Sequence, residues 1–147
     1  MHMSTVRDII RKKDKDIWSI TPDATVYEAL EIMAEKNIGA LLVITEGQVN
    51  GILSERDCVR KVDLQGYTSR VTKVKDIMTK DVISVKVTEQ LEECMATMIE
   101  KGIRHLPVYE GDELLGLISV RDVLREVVEV QKSLISQLER FITGGGR

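Results

Sequence analysis

GILSERDCVRKV, residues 51–62, and GLISVRDVLREV, residues 116–127, are two versions of one phrase. Each has a glycine, an apolar pair, a serine, two residues, an aspartate and an apolar-basic run. The second begins 65 residues after the first. Carried outward at that offset, the match runs without a gap from Ile17/Val82 to Val62/Val127. Identities include Ser19/Ser84, Met33/Met98, Ile38/Ile103, Leu41/Leu106, Gly51/Gly116, Ser54/Ser119, Arg56/Arg121 and Asp57/Asp122. Upstream, VRDII (6–10) echoes VKDIM (74–78), with three extra residues in RKKDKD before the first strand. The chain is one supersecondary unit stated twice.

The unit can be read locally. IWSI (17–20) and VISVKV (82–87) are short and rich in β-branched residues, so strands are predicted. TVYE (25–28) has the pattern of a capping box and opens a helix with Val26, Ala29, Leu30 and Met33 on one face. Its counterpart carries Leu91, Cys94, Met95, Met98 and Ile99. ALLVIT (40–45) and LPVY (106–109) are strands, EGQ and EGDE are hairpin turns, and VNGILS and LLGLIS return. A helix follows each serine. The order is β-α-β-β-α, twice, which gives an α+β fold of small sheets covered by helices. The expected division is a first unit at 4–64, a linker at 65–72, a second unit at 73–130, and a helical extension and tail at 131–147.

Composition narrows the function. At 43% hydrophobic and 31% charged the chain is ordinary for a globular protein, and with 3% aromatics its core must be aliphatic. A net charge of −3 argues against nucleic-acid binding, and no apolar run is long enough for a membrane span. Met1-His2 is read as an expression remnant, and no signal peptide is seen. Cys58 and Cys94 form no metal-ligand pattern and read as buried free thiols in a reducing cytoplasm. There are no paired catalytic carboxylates, nucleophile elbow, P-loop or metal spacing, so no enzyme is expected.

Beyond the second unit the last helix runs on without Gly or Pro to about Ile142. Leu124, Val127, Val128, Gln131, Leu134, Leu138 and Phe141 lie on or near one stripe. Such a stripe needs cover, and a homodimer contact is expected; the alternative is that it folds back on its own domain. GGGR (144–147) is read as a frayed tail. Trp18 is expected in the core or a dimer interface, Met33, Met95 and Met98 in the core, and RKKDKD in a solvated loop.

The repeated Ser-x-x-Asp has two readings. As a capping box, Ser54 and Ser119 are N-caps with Asp57 and Asp122 at N3, and no ligand is needed. Against that, Arg56 and Arg121 at N2 oppose the helix dipole, and Gly51 and Gly116 sit inside strands. A helix N-terminus with a serine hydroxyl suits phosphate, and a nearby aspartate suits a ribose diol.

The tandem β-α-β-β-α units, the stretch KGIRHLPVYEGDELLGLISVRDVL and the two Gly/Ser/Asp phrases resemble a pair of CBS domains (named for cystathionine β-synthase), the Bateman module, over about residues 4–130. The resemblance implies a pseudo-twofold module with two clefts between the units that take adenine ligands: AMP, ADP, ATP, NAD or S-adenosylmethionine. It implies that Asp57 and Asp122 hold riboses and that Ser54 and Ser119 meet phosphate. Ile20, Thr21, Ala40 and Leu41 in one repeat, and Val85, Lys86, Leu106 and Pro107 in the other, would enclose adenine. Arg104 and His105 would point at phosphates. Since Gly39 and Ala40 stand where Arg104 and His105 stand, the two clefts cannot be chemically equivalent; a histidine packed at a strand edge is the alternative for His105. A homodimer forming a disc of four units, and a separate effector protein, are also implied. The competing reading is a dimeric scaffold with vestigial pockets.

Overall fold

The computed structural model describes residues 4–13 and 15–145. Met1-His2 and the end of the GGGR tail lie outside them. The chain divides into two compact units, and the cut does not follow the repeat. One unit is residues 16–83. The other joins the N-terminal segment, through Lys15, to the chain from Ser84 onward.

Each unit holds a three-stranded sheet with the same pairing. In the 16–83 unit, β1 (Ser19–Ile20) runs parallel to β2 (Ala40–Thr45), and β2 pairs antiparallel with β3 (Gln48–Ser54). The β2–β3 turn is tight because Glu46 and Gly47 both take positive φ, 50° and 77°. In the other unit β4 (Val85–Lys86), β5 (His105–Glu110) and β6 (Glu113–Ser119) repeat this, with Gly111 at φ 60° in the turn. Both hairpins carry a register shift at the same place, after Val43 and after Val108. The sheets pair less chain than IWSI and VISVKV suggested: only Ser19–Ile20 and Val85–Lys86 find strand partners.

Helices α2 (Val26–Lys36) and α5 (Leu91–Lys101) bury Val26, Ala29, Met33 and Leu91, Cys94, Met98, at 3–4 spacing. Met95 is half-buried, and Ile99, expected on the same face, is 74% exposed. Two short leading helices explain the offset units. In the 16–83 unit, α4 (Val74–Ile77) lies at the start of α2: Val74 N–H donates to Ala24 O at 2.9 Å and Val26 N–H to Thr72 O at 2.9 Å. In the other, α1 (Val6–Lys12) does the same for α5, with Val6 N–H on Glu89 O and Arg7 N–H on Val87 O, both 2.9 Å. Each leading helix therefore serves the repeat it does not belong to. The expected linker 65–72 is built into the 16–83 unit, where Ser69 O also takes Tyr27 N–H at 3.0 Å.

After β3 comes α3 (Glu55–Cys58), which widens into a π-helical turn at Val59–Asp63. After β6 comes α6 (Val120–Arg140), continued by a π-helical turn at Phe141–Gly145. Among the described residues no helix is long and apolar enough to cross a membrane. Trp18 is not core: it is 38% exposed, with the Lys36 ammonium 4.2 Å from its ring centroid.

Candidate functional site

The repeated phrase lies where a strand becomes a helix, and in both units it forms a complete capping box. Ser54 is extended, φ −112° and ψ 162°, and its Oγ accepts from Asp57 N–H at 3.1 Å while its own N–H donates to Asp57 Oδ2 at 3.1 Å. Ser119, φ −110° and ψ 166°, repeats the pair with Asp122, at 3.1 and 2.8 Å. At Thr25 the hydroxyl accepts from Glu28 N–H at 3.1 Å. The capping reading of Ser-x-x-Asp is thus correct as far as it goes. It uses one carboxylate oxygen, Oδ2, for the serine N–H in each box.

What else meets those carboxylates differs between the units. Asp57 Oδ1 takes Lys61 Nζ at 3.1 Å, from the next turn of its own helical segment, and Thr79 Oγ1 lies 3.5 Å away. Lys61 Nζ also donates to Ile77 O at 2.9 Å. Asp122 Oδ2 takes Lys13 Nζ at 2.6 Å, and Lys13 also donates to Leu117 O at 2.8 Å. Position 126, the repeat counterpart of Lys61, is Glu126, which is 7% exposed and pairs with Lys12 at 2.8 Å. Lys12 and Lys13 come from RKKDKD. That segment is not simply a solvated loop: Arg11 and Lys12 end α1, and both lysines are ion-paired. Sequence reasoning missed Lys13, Lys61 and Thr79. The signal was the echo of VRDII in VKDIM, which places both leading segments in equivalent positions.

Burial alone would raise the Asp122 carboxyl, but the Lys13 ammonium and the Ser119 N–H hold it below its ordinary value. His105 stands across the hairpin from Ser119, as Ala40 stands across from Ser54. Burial lowers His105, Asp122 pulls it up, and the charges of Lys13 and Arg104 lower it further. The Ser119–Asp122 junction therefore gathers a lysine and a histidine at one carboxylate, with an exposed arginine acting on the histidine, alongside a groove of about 370 Å³ lined by Ile9, Lys12, Lys13, Asp122 and their α6 neighbours. Its counterpart has Gly39 and Ala40 in place of the arginine and the histidine.

The remaining expected residues divide. Ile20, Ala40, Leu41, Val85, Leu106 and Pro107 are buried, Leu41 and Leu106 completely, while Thr21 and Lys86 are exposed. Arg56 and Arg121 are exposed, and Arg121 lies along the open face of α6 with Leu124 and Val128. Gly51 is explained without a ligand. A methyl group there would sit 2.7 Å from Thr79 O, because Ile52 and Thr79 exchange main-chain bonds of 3.0 and 2.9 Å. At Gly116 the nearest atom would be Ile10 Cδ1 at 3.5 Å, an ordinary contact. Among the described residues no group of three His, Cys, Asp or Glu could hold a metal. Cys58 and Cys94 are buried free thiols, each pushed up to about 11 by burial first and nearby carboxylates second.

A family model described as CBS domain matches residues 5–64 and 74–129. A CBS domain-containing protein of Arabidopsis thaliana, CBSX3, mitochondrial, is 36% identical over 97% of this chain and 73% of its own. A solved CBS-domain structure from Burkholderia ambifaria is 43% identical, with a TM-score of 0.83 over 86% of this chain and 95% of its own. The CBS domain pair of MJ0100, solved with 5′-methylthioadenosine and S-adenosyl-L-methionine, shares the fold at 22% identity, with a TM-score of 0.75 over 87% of this chain and 98% of its own.

Proposed function

The chain belongs to the CBS-domain family, and we propose that it is a regulatory module that senses adenine-containing ligands and signals to a separate partner, rather than an enzyme. The observation that carries this reading is the pair of cations, Lys13 and Arg104, flanking the imidazole of His105 at the Ser119–Asp122 junction. A capping box needs no cations beside it, whereas a phosphate does. Asp122 would exchange its lysine for a ribose diol, Ser119 Oγ and the first N–H groups of α6 would receive phosphate, and main chain at Val85-Lys86 and Leu106-Pro107 would frame adenine. Gly116 would let the strand lie close beneath it, with Arg121 near the helix start.

The Ser54–Asp57 junction has the same carboxylate and cap, with Ile20, Thr21, Ala40, Leu41, Gly51 and Arg56 in the matching roles. Its helix is four residues long before the π turn, and Gly39-Ala40 supply no charge. It suits a ligand with less anionic charge than the other junction. The adenosine ligands of the MJ0100 pair fit this ligand class; they do not choose among AMP, ADP, ATP, NAD and S-adenosylmethionine. Signalling requires that the ligand bind two conformations unequally. The apolar face of α6 supports a homodimer, and the two unpaired thiols suit a reducing cytoplasm. Self-satisfied capping boxes favour a second reading, a dimeric scaffold indifferent to nucleotides.

A thermal-shift series with those five ligands separates the readings. A ligand at about 100 times its Kd adds roughly 2.7 kcal/mol, and one adenine ligand should raise Tm. A flat series at millimolar ligand leaves the scaffold.

A further inference from the structure

The C-terminal half of α6 is a helix with nothing of its own unit on it. From Gln131 to Arg140 every residue is exposed, including Leu134 at 46%, Ile135 at 54% and Leu138 at 53%. Leu124, Val128, Gln131, Ile135 and Leu138 alternate at spacings of four and three, the seam of a heptad repeat. One flank of that seam, at sevenfold spacing, is Val127, Leu134 and Phe141. The other flank is Arg125, Lys132 and Glu139.

We infer that α6 pairs with α6 of a second copy in antiparallel orientation, about a twofold axis beside Ser133 and Leu134. This rests on the homodimer reading above and adds its surface, direction and register. The flanks decide the direction. Parallel helices set one flank against the other, which would lay Arg125 and Lys132 along the partner's apolar flank. Antiparallel helices set like flank against like. Leu134 then meets the partner copy of itself, Val128 meets Leu138, and Gln131 meets Ile135. Arg125 falls beside Glu139 at both ends of the pair. A single register satisfies all four, at the cost of setting Lys132 beside the partner copy of itself between the two Arg125–Glu139 pairs. Helices in such contact run 8–10 Å apart, which suits this mixture of Leu, Ile and Val.

Charge also chooses between a second copy and a lipid surface. Over residues 121–140, Arg121, Arg125, Lys132 and Arg140 are matched by Asp122, Glu126, Glu129 and Glu139. A helix that binds anionic membrane carries a basic polar face, and this one is neutral.

The test uses the full chain with single cysteines and a short bismaleimide, with the wild type, whose own thiols are buried, as the control. Leu134→Cys should cross-link to a covalent dimer. Val128→Cys and Leu138→Cys should each stay monomeric on denaturing gels and cross-link only when mixed. Arg125→Glu should weaken the dimer about tenfold, and Arg125→Glu with Glu139→Arg should restore it. Self-cross-linking of Val128→Cys means parallel helices and overturns the register. A folded dimer that survives Leu134→Asp by light scattering places dimerisation elsewhere and overturns the surface while the homodimer stands. A wild-type monomer, whether or not it co-sediments with anionic vesicles, removes the homodimer and this pairing together.

Discussion

Lys13 Nζ lies 2.6 Å from Asp122 Oδ2 across 109 residues of chain. The repeat has no such partner to offer Asp57, which takes Lys61 from its own helical segment instead. The two equivalent aspartates are thus neutralised by unrelated lysines, one of them carried by the leading segment of the other repeat.

That pair sets an acid limb. Asp122 is held below its ordinary value on folding. Its contribution is present above the unfolded value near 4 and is lost as pH falls through the lower folded value. Lys13→Met lets burial act unopposed by the ammonium, so the loss should begin at a higher pH. Urea midpoints between about pH 3 and 7 check this; an acid limb at unchanged pH would contradict it.

The two strand glycines should respond differently to a methyl group. Gly51→Ala forces the added carbon against Thr79 O and should cost about 1–3 kcal/mol. Gly116→Ala meets a flexible Ile10 methyl at contact distance and should fall within about 0.5 kcal/mol of wild type. Chemical denaturation of the two variants gives the comparison; equal costs would refute the close approach of the 78–79 segment as the reason for Gly51.

Glu126 is the one buried charged residue among those described, and Lys12 is its ion-pair partner. Lys12→Met leaves a desolvated carboxylate and should destabilise by roughly 1 kcal/mol. Adding Glu126→Gln should recover most of that loss. A double variant no better than the single would show that the carboxylate finds water instead.

Cys58 and Cys94 should react slowly with a thiol reagent at pH 8, since burial pushes both up to about 11 and thiolate is the reacting form. Unfolding should release both at once. Rapid native labelling of either would mean that its unit opens locally.

Much of the fold was legible because its signals are local. Glycine-bearing turns, apolar spacing and Ser-x-x-Asp placed the hairpins and helices of both repeats. What was lost is non-local. Strand pairing trimmed IWSI to Ser19–Ile20, since Ile17 and Trp18 find no strand partner. Ile99 has the spacing of a core residue, but no element covers it. The exchange of leading helices between repeats cannot be seen in either repeat alone, so Lys13 looked like one cation in a mixed run. At the site, Ser54, Asp57, Ser119 and Asp122 and their cap geometry followed from their spacing. The lysines on the aspartates did not, because they arrive from other elements.

Calorimetric titration of AMP into the wild type, Asp57→Ala and Asp122→Ala, each first shown to be folded, tests the central claim most directly. The account expects wild-type heat with a loss of about tenfold or more in affinity on Asp122→Ala, and a smaller change on Asp57→Ala. Three identical isotherms, or no heat from the wild type at millimolar AMP with the other adenine ligands equally silent, would contradict it.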